Sequence, residues 1–236
     1  MDIKLANEIV ACLPKDRTLF PYYEDRYAEL LLEQFIGDEM AIADIKASRF
    51  GRLLTRPLVR QVVARKGDGR LNAGDFQVQS HGEMVHYVLT IGMWGWKQHR
   101  SWCQTSRNGA NLVLQLNFSS QHDNAYRQLV DPLNDRPYVY GEHPVCKRNR
   151  NTLAWARLDL DFDTGEALIE EIQNDWLRRA KWDLRDARAV LYQRQNKPQD
   201  QVMLPRNPKV RALDAIHYVE HVLQPHFRYW SDAMLS

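Results

Sequence analysis

Apolar positions in the first 70 residues recur at helical spacing. Tyr27, Leu30, Leu31 and Phe35 would share one face of a helix over residues 24–36. Similar spacing predicts shorter helices, with Asp38 and Thr55 as caps of two of them. They cover residues 38–46, 50–54 and 55–65. The glycines in residues 66–69 then indicate a turn.

After residue 70 the apolar period changes to two, which is typical of strands. Alternating segments lie at residues 76–79, 86–91 and 111–117, and a β-hairpin is predicted over residues 152–173. The polar, proline-containing residues 119–150 predict a long irregular connection.

Helical patterns return after the hairpin. Residues 175–195 predict a helix rich in arginine and aspartate, and the residues from 213 onward predict another that is interrupted near Pro225. The whole pattern favours an α+β fold, with a helical, partly basic region at 1–70 and an α+β domain at 71–236. The last residues carry no capping or turn signal, so we expect a truncated form of something longer.

The predicted hairpin places polar side chains where an apolar face is expected. Residues 163–166 indicate a two-residue turn, and counting outward from it pairs Leu158 with Glu171 and sets Gln173 on the same face. A buried carboxylate is costly without a partner. Glu171 therefore requires an arginine, a bound ligand or a proton.

On the opposite face, the same register sets Asp159 directly across from Glu170. Like charges placed so destabilise a strand pair unless a cation lies between them. Arg157 is close enough to serve, and a divalent metal would serve as well. The alternative without function is a solvated face on which Arg157 screens Asp159 and another arginine pairs with Glu171.

Residues 168–176, Leu-Ile-Glu-Glu-Ile-Gln-Asn-Asp-Trp, resemble the "IEEIQSDW" signature of polyvalent-type proteins encoded by phages and other mobile elements. A looser resemblance extends to residues 111–118, His143-Pro144 and residues 153–159. Asn174 stands where the signature has serine. The resemblance supplies no activity, but it implies a set of candidate functional positions. They are His143, Glu170, Glu171, Gln173, Asp175 and Trp176.

A second motif lies near the end of the chain. His217-Tyr-Val-Glu-His221 matches the His-x-x-Glu-His pattern of inverted zinc peptidases. On a helix the two histidines would lie one turn apart and could share a zinc ion, with Glu220 as the base. The competing interpretation is a pair of surface histidines on an amphipathic helix, because the apolar residues of this segment point away from both.

The formal net charge of +2 is unevenly distributed. Residues 1–45 carry a net charge of −6, and residues 46–110 carry +8. Short basic helices followed by strands resemble the order of a winged helix-turn-helix, and residues 94–102 interleave tryptophans with bases. This predicts contacts with nucleic-acid phosphates, although the two segments could also neutralise each other. The candidate phosphate ligands are Arg52, Arg56, Arg60 and Arg65.

Several classes of protein are excluded by what the sequence lacks. It has no phosphate-binding Gly-x-x-x-x-Gly-Lys-Ser/Thr loop, no Gly-x-Gly-x-x-Gly, no Gly-x-Ser-x-Gly and no Cys-x-x-Cys. It has no run of roughly 18 apolar residues, so no membrane association is expected. Its three cysteines are widely spaced, which favours reduced thiols and a cytoplasmic protein.

The leading hypothesis is a mobile-element or anti-phage defence protein that engages nucleic acid and bears a carboxylate-centred site of unknown chemistry. A divalent metal, if it is the cofactor, would be held by Asp159 and Glu170. A non-catalytic protein–protein interaction module and the zinc-dependent hydrolase remain as alternatives, so catalysis itself stays open. The catalytic candidates are Glu170, Glu171, Gln173, Asp175 and His143.

Overall fold

The computed structural model describes residues 1–12, 18–76, 83–95, 105–132, 138–146, 150–202 and 211–236. They form two compact units. The sheet unit comprises Met1–Phe20 and His86–Arg228, and the helical unit comprises Pro21–Val85 and Tyr229–Ser236. The predicted α+β fold is confirmed. The division at residue 70, made by secondary-structure type, stays a prediction.

The helices and strands have the following bounds. The helices are α1 (Ile3–Cys12), α2 (Arg26–Ile36), α3 (Ile42–Ala47), α4 (Pro57–Ala64), α5 (Ser120–Leu129), α6 (Asp175–Asn196), α7 (Ala212–His217) and α8 (Gln224–Leu235). The strands are β1 (Thr18–Tyr22), β2 (Met40–Ala41), β3 (Arg70–Leu71), β4 (Val85–Gly95), β5 (Ala110–Phe118), β6 (Thr152–Asp161) and β7 (Glu166–Gln173). Among the described residues, none of the helices has the length and apolarity needed to cross a membrane.

The main sheet has five strands in the order β1-β4-β5-β6-β7. The pairs β4/β5, β5/β6 and β6/β7 are antiparallel. Strand β5 is buried along almost its whole length, as expected of a central strand covered on both faces. Strand β7 forms one edge of this sheet, and β6 lies between β5 and β7. The two strands span the residues at which the hairpin was predicted.

An aromatic cluster forms part of the core of the sheet unit. Trp176, fully buried at the start of α6, donates its indole N–H to the Tyr218 hydroxyl at 2.7 Å. The same hydroxyl lies 2.9 Å from Nε2 of His122. Phe118 stacks on the His122 ring at 3.4 Å, and Tyr126 packs edge-on against Trp176. The cluster therefore anchors α5 and α6 to the end of β5.

The helical unit has an aliphatic core of its own. The predicted helix of residues 24–36 is confirmed as α2, which buries Ala28 and Leu32 against side chains from α3, α4 and the turns around them. Glu29 is also fully buried on α2, where it accepts a hydrogen bond from the Tyr23 hydroxyl at 2.5 Å. Burial raises the pKa of this carboxyl.

Three local predictions are wrong. Residues 119–150 are not irregular throughout, because α5 begins after Ser119, whose hydroxyl accepts from the His122 N–H. Only His122 and Tyr126 of that helix are buried, so it shows no apolar period. Helix α3 begins after Ala41 rather than at Asp38, and α4 begins after Arg56 rather than Thr55. The predicted strand at residues 76–79 lies outside the described residues from 77 onward.

Candidate acid–base site

The register of the hairpin differs from the predicted one. The turn has four residues, 162–165, so that Asp161 pairs with Glu166 and Leu158 with Ile169. This moves the pairing by two residues, which leaves every side chain on its predicted face. Asp159 consequently lies across from Leu168, and its predicted position opposite Glu170 is wrong.

A β-bulge then reverses the faces. The register shifts by one residue between Leu158 and Arg157, because Glu170 is an extra residue in β7. Beyond the bulge Arg157 pairs with Glu171 and Trp155 with Gln173. The prediction that Glu171 and Gln173 lie on the face of Ala156 and Leu158 is therefore wrong.

The bulge brings two consecutive carboxylates to one guanidinium. Arg157 donates from Nε and Nη2 to Oε2 of Glu171 at 3.1 and 2.8 Å, and its Nη1 lies 3.6 Å from Glu170. The Glu170 side chain is 3% exposed, and its Oε1 accepts from the Ser106 N–H at 2.8 Å. Gln173 donates its amide to Oε1 of Glu171. The sequence predicted that Glu171 needs an arginine, a ligand or a proton, and Arg157 is that arginine.

A histidine–carboxylate pair adjoins this cluster. Nδ1 of His143 is hydrogen-bonded to the Asp175 carboxylate, which is 4% exposed and also accepts from Arg178. Asp175 is the first residue of α6, where the helix dipole favours a negative charge. Asn174 caps the helix by accepting from the Leu177 N–H at 2.9 Å. The signature that residues 168–176 resemble has serine at this position. Asparagine and serine both cap helices well, so the capping role does not depend on which of the two is present.

The segment that carries His143 is held against the sheet by polar side chains. Gln115 of β5 donates to the Pro144 carbonyl at 2.8 Å, and Thr152 of β6 accepts from the Cys146 N–H at 2.9 Å. The His143 ring meets the Trp155 ring edge-on, with centroids 5.5 Å apart. The imidazole is therefore fixed from the backbone side and the ring side, as a catalytic group requires.

These groups surround a cavity of about 380 Å³. Its volume lies within the usual range for small-molecule sites. Nδ1 of His143 is occupied by Asp175, and no described residue is hydrogen-bonded to Nε2, which is therefore the nitrogen left to accept a proton. The side chains that line the cavity are Trp94, Glu142, His143, Pro144, Trp155, Arg157 and Glu171.

The structure brings together most of the positions that the signature implied. His143 and Asp175 form a hydrogen-bonded pair, and Glu171 lines the cavity. Glu170 contacts Arg157, and Gln173 contacts Glu171. Trp176 does not join them, because it is a core side chain of the aromatic cluster.

The sequence did not reveal that Trp94, Trp155 and Arg157 line one cavity. Trp94 was visible only as part of a basic aromatic segment, of which residues 96–102 lie outside the described residues. Trp155 and Arg157 sit in the strand Leu-Ala-Trp-Ala-Arg-Leu-Asp-Leu. An arginine at an inward position of such a strand is the signal that could have marked them.

The predicted metal pair is not assembled across the strands. One Asp159 oxygen lies 2.5 Å from the Met1 ammonium, and the other lies 3.8 Å from Nε of Arg107. Glu170 contacts Arg157 and the Ser106 N–H. Within the described part of the chain, no three His, Cys, Asp or Glu side chains are grouped so that they could hold a metal ion.

The histidine motif near the end of the chain forms a surface pair. His217 and His221 are exposed, with ring centroids 4.8 Å apart, at a π-helical turn spanning Tyr218–Val222. Glu220 pairs with Arg188 at 2.5 Å rather than facing a metal site. Neither histidine is joined by a third ligand from the described residues.

The four predicted phosphate ligands are all exposed in the helical unit. Arg52 lies in a 3₁₀ turn (Gly51–Thr55), Arg60 in α4, and Arg56 and Arg65 flank that helix. Within the described residues none of the four has a carboxylate within 4 Å, and Arg56 lies over the Tyr27 ring at 5.4 Å.

No protein-family model matches the chain, and comparisons with curated proteins and with solved structures returned no match either. The resemblance of residues 168–176 to polyvalent-type proteins, and the mobile-element or anti-phage role that it implies, stay predictions.

Proposed function

We propose that the protein is an enzyme in which His143 transfers protons to and from a small substrate bound in the cavity. The observation that carries the proposal is the His143–Asp175 dyad at the cavity wall. A carboxylate on Nδ1 fixes the tautomer that bears a lone pair on Nε2, and it stabilises the imidazolium that forms when Nε2 takes a proton. Nε2 can then act first as a general base and afterwards as a general acid.

The remaining polar groups would orient the substrate. The Arg157 guanidinium is held by Glu170 and Glu171, and Glu171 is itself held by Gln173. Because these contacts restrict their rotamers, the cavity offers donors and acceptors in a fixed geometry. Such a site suits the hydrolysis of an acyl bond by a water molecule that His143 activates.

Hydrolysis of p-nitrophenyl acetate, an activated ester, provides the test. His143→Gln is expected to slow the protein-dependent rate by about tenfold, less than the roughly hundredfold or more that a general base typically contributes, because the ester is not the natural substrate. His217→Gln, which removes an exposed histidine, is the matched control and should leave the rate unchanged. Equal rates for His143→Gln and the unmodified protein would contradict the proposal.

Binding of nucleic acid by the helical unit is a second proposal. It is supported by the exposed arginines around α4, none of which has a carboxylate within 4 Å among the described residues. Between residues 46 and 66 the chain carries seven bases and no acid. Such a surface attracts phosphates without reading sequence, because the interaction is electrostatic.

The salt dependence of binding to a labelled DNA oligonucleotide tests the second proposal. Arg60→Gln with Arg65→Gln is expected to flatten the plot of log K against log salt by about 2, one unit for each lost phosphate contact. Arg185→Gln with Arg194→Gln removes the same charge from exposed positions of α6 and should leave the slope unchanged. Affinity that stays constant from roughly 50 to 200 mM salt would exclude phosphate contacts.

A further inference from the structure

The charges around the cavity are unbalanced. Glu142 and Glu171 line it, and Glu170 contacts Arg157, the one guanidinium that the described part of the chain contributes to the lining. Both Glu170 and Glu171 contact that guanidinium, so little of its positive charge is left for a ligand. The described side chains of this group, three carboxylates and one guanidinium, carry a net negative charge. Phosphates and carboxylates would therefore be repelled.

Two tryptophans supply the apolar surface of the same cavity. Trp94 and Trp155 both line it, and the faces of indole rings attract cations through their quadrupole. Trp155 is 3% exposed, and its indole N–H has no acceptor among the described residues. An organic cation has no acceptor for that N–H, so the ring faces, rather than the indole nitrogen, would contact such a ligand.

We propose that the cavity binds a small organic cation, an amidinium, guanidinium or protonated amine that lies against the tryptophans with its charge towards Glu142 and Glu171. This inference rests on the proposed function, because it identifies the class of substrate on which His143 would act. The carboxylates select the charge of the ligand, and the indole rings select a flat or compact apolar body.

Three probes of almost the same shape separate charge from size. Benzamidine is cationic, benzamide neutral and benzoate anionic. Their affinities can be compared through the NMR shifts of the indole N–H groups, with Trp155 identified by Trp155→Phe. Benzamidine is expected to bind about tenfold more tightly than benzoate, with benzamide between them, as follows from a few carboxylates near the ligand in a partly screened site.

Variants show whether the named carboxylates cause the preference. Glu142→Gln, at an exposed residue whose loss should not disturb folding, is expected to reduce the benzamidine-to-benzoate ratio about threefold. Glu171→Gln should reduce it further. Asp163→Asn, in the exposed hairpin turn, makes the same charge change away from the cavity and should leave the ratio unchanged.

Three outcomes would overturn the inference: benzoate binding as tightly as benzamidine, a ratio insensitive to both glutamate variants, or no shift of the Trp155 resonance with any probe. None of them decides whether His143 is a base, which the ester assay reports independently. Conversely, His143→Gln could hydrolyse the ester at the normal rate while benzamidine still binds more tightly than benzoate. The cavity would then bind cations, and the proposed acid–base catalysis by His143 would be wrong.

Discussion

Replacing Arg157 with methionine is expected to lower the free energy of unfolding by about 3 kcal/mol. Arg157 is 9% exposed, and its guanidinium contacts both Glu170 and Glu171. Methionine has a similar length but no charge, so both carboxylates would lose the guanidinium that they share. The Glu170 side chain is 3% exposed and cannot turn to water without breaking its bond to the Ser106 N–H.

Urea denaturation at pH 7 measures this effect, and two further variants identify its cause. Adding Glu170→Gln and Glu171→Gln to the methionine variant should recover most of the lost stability, because no buried charge then lacks a partner. Arg185→Met removes an arginine whose side chain is 80% exposed, and it should cost less than about 0.5 kcal/mol. If Arg157→Met is as stable as the unmodified protein, the two carboxylates are not held by that guanidinium.

Acid is expected to destabilise the sheet unit through His226. This side chain is 8% exposed, lies 3.1 Å from the Tyr87 hydroxyl and packs edge-on against Phe118. Burial, with a smaller effect of nearby His122, lowers the pKa of His226 to about 3. In the unfolded chain a histidine has a pKa near 6.5.

The direction of the effect follows from which state binds the proton. Between pH 6.5 and 3 the unfolded chain is protonated at residue 226 while the folded chain is not. The stability contributed by neutral His226 is therefore fully present above pH 6.5 and is lost as the pH falls towards 3. Each pH unit in that window costs about 1.4 kcal/mol, so lowering the pH from 6.5 to 4.5 costs about 2.7 kcal/mol.

Unfolding free energies at several pH values between 4.5 and 7 test this prediction. His226→Gln should remove most of the contribution that residue 226 makes to the slope of unfolding free energy against pH. This holds even if the substitution also changes the stability at pH 7. His86→Gln, at an exposed position of β4, should keep the slope of the unmodified protein. A slope that is the same in all three proteins would show that His226 is protonated in the folded state, which its burial opposes.

The limits of the hairpin could be predicted because they depend on local chemistry. Leucines alternate with aspartates over residues 158–161 at the end of β6, and Gly165, with φ of 70°, fits the turn. The register could not be predicted, because the bulge at Glu170 is stabilised by Arg157 on the other strand and by Ser106 from a distant segment. A single extra residue reverses the faces, and no local pattern marks it.

The members of the site could be predicted in part. The signature pointed to His143 and Asp175, which are 32 residues apart in the chain and form a hydrogen bond in the fold. Arg157 was expected to screen Asp159 rather than to pair with Glu171. Trp155 was hidden because a strand buried on both faces has no polar side against which it would stand out. Helix α5 was missed for a related reason, since its buried face consists of His122 and Tyr126 rather than aliphatic residues.

The central claim is that His143 is a base at the wall of the cavity, and the rate of p-nitrophenyl acetate hydrolysis tests it most directly. We expect His143→Ala, like His143→Gln, to lose about nine-tenths of the protein-dependent rate, and added imidazole, which fits the space that alanine leaves, to restore part of it. His217→Gln should behave like the unmodified protein in both respects. His143→Gln and His143→Ala proteins that hydrolyse the ester at the original rate would contradict the claim.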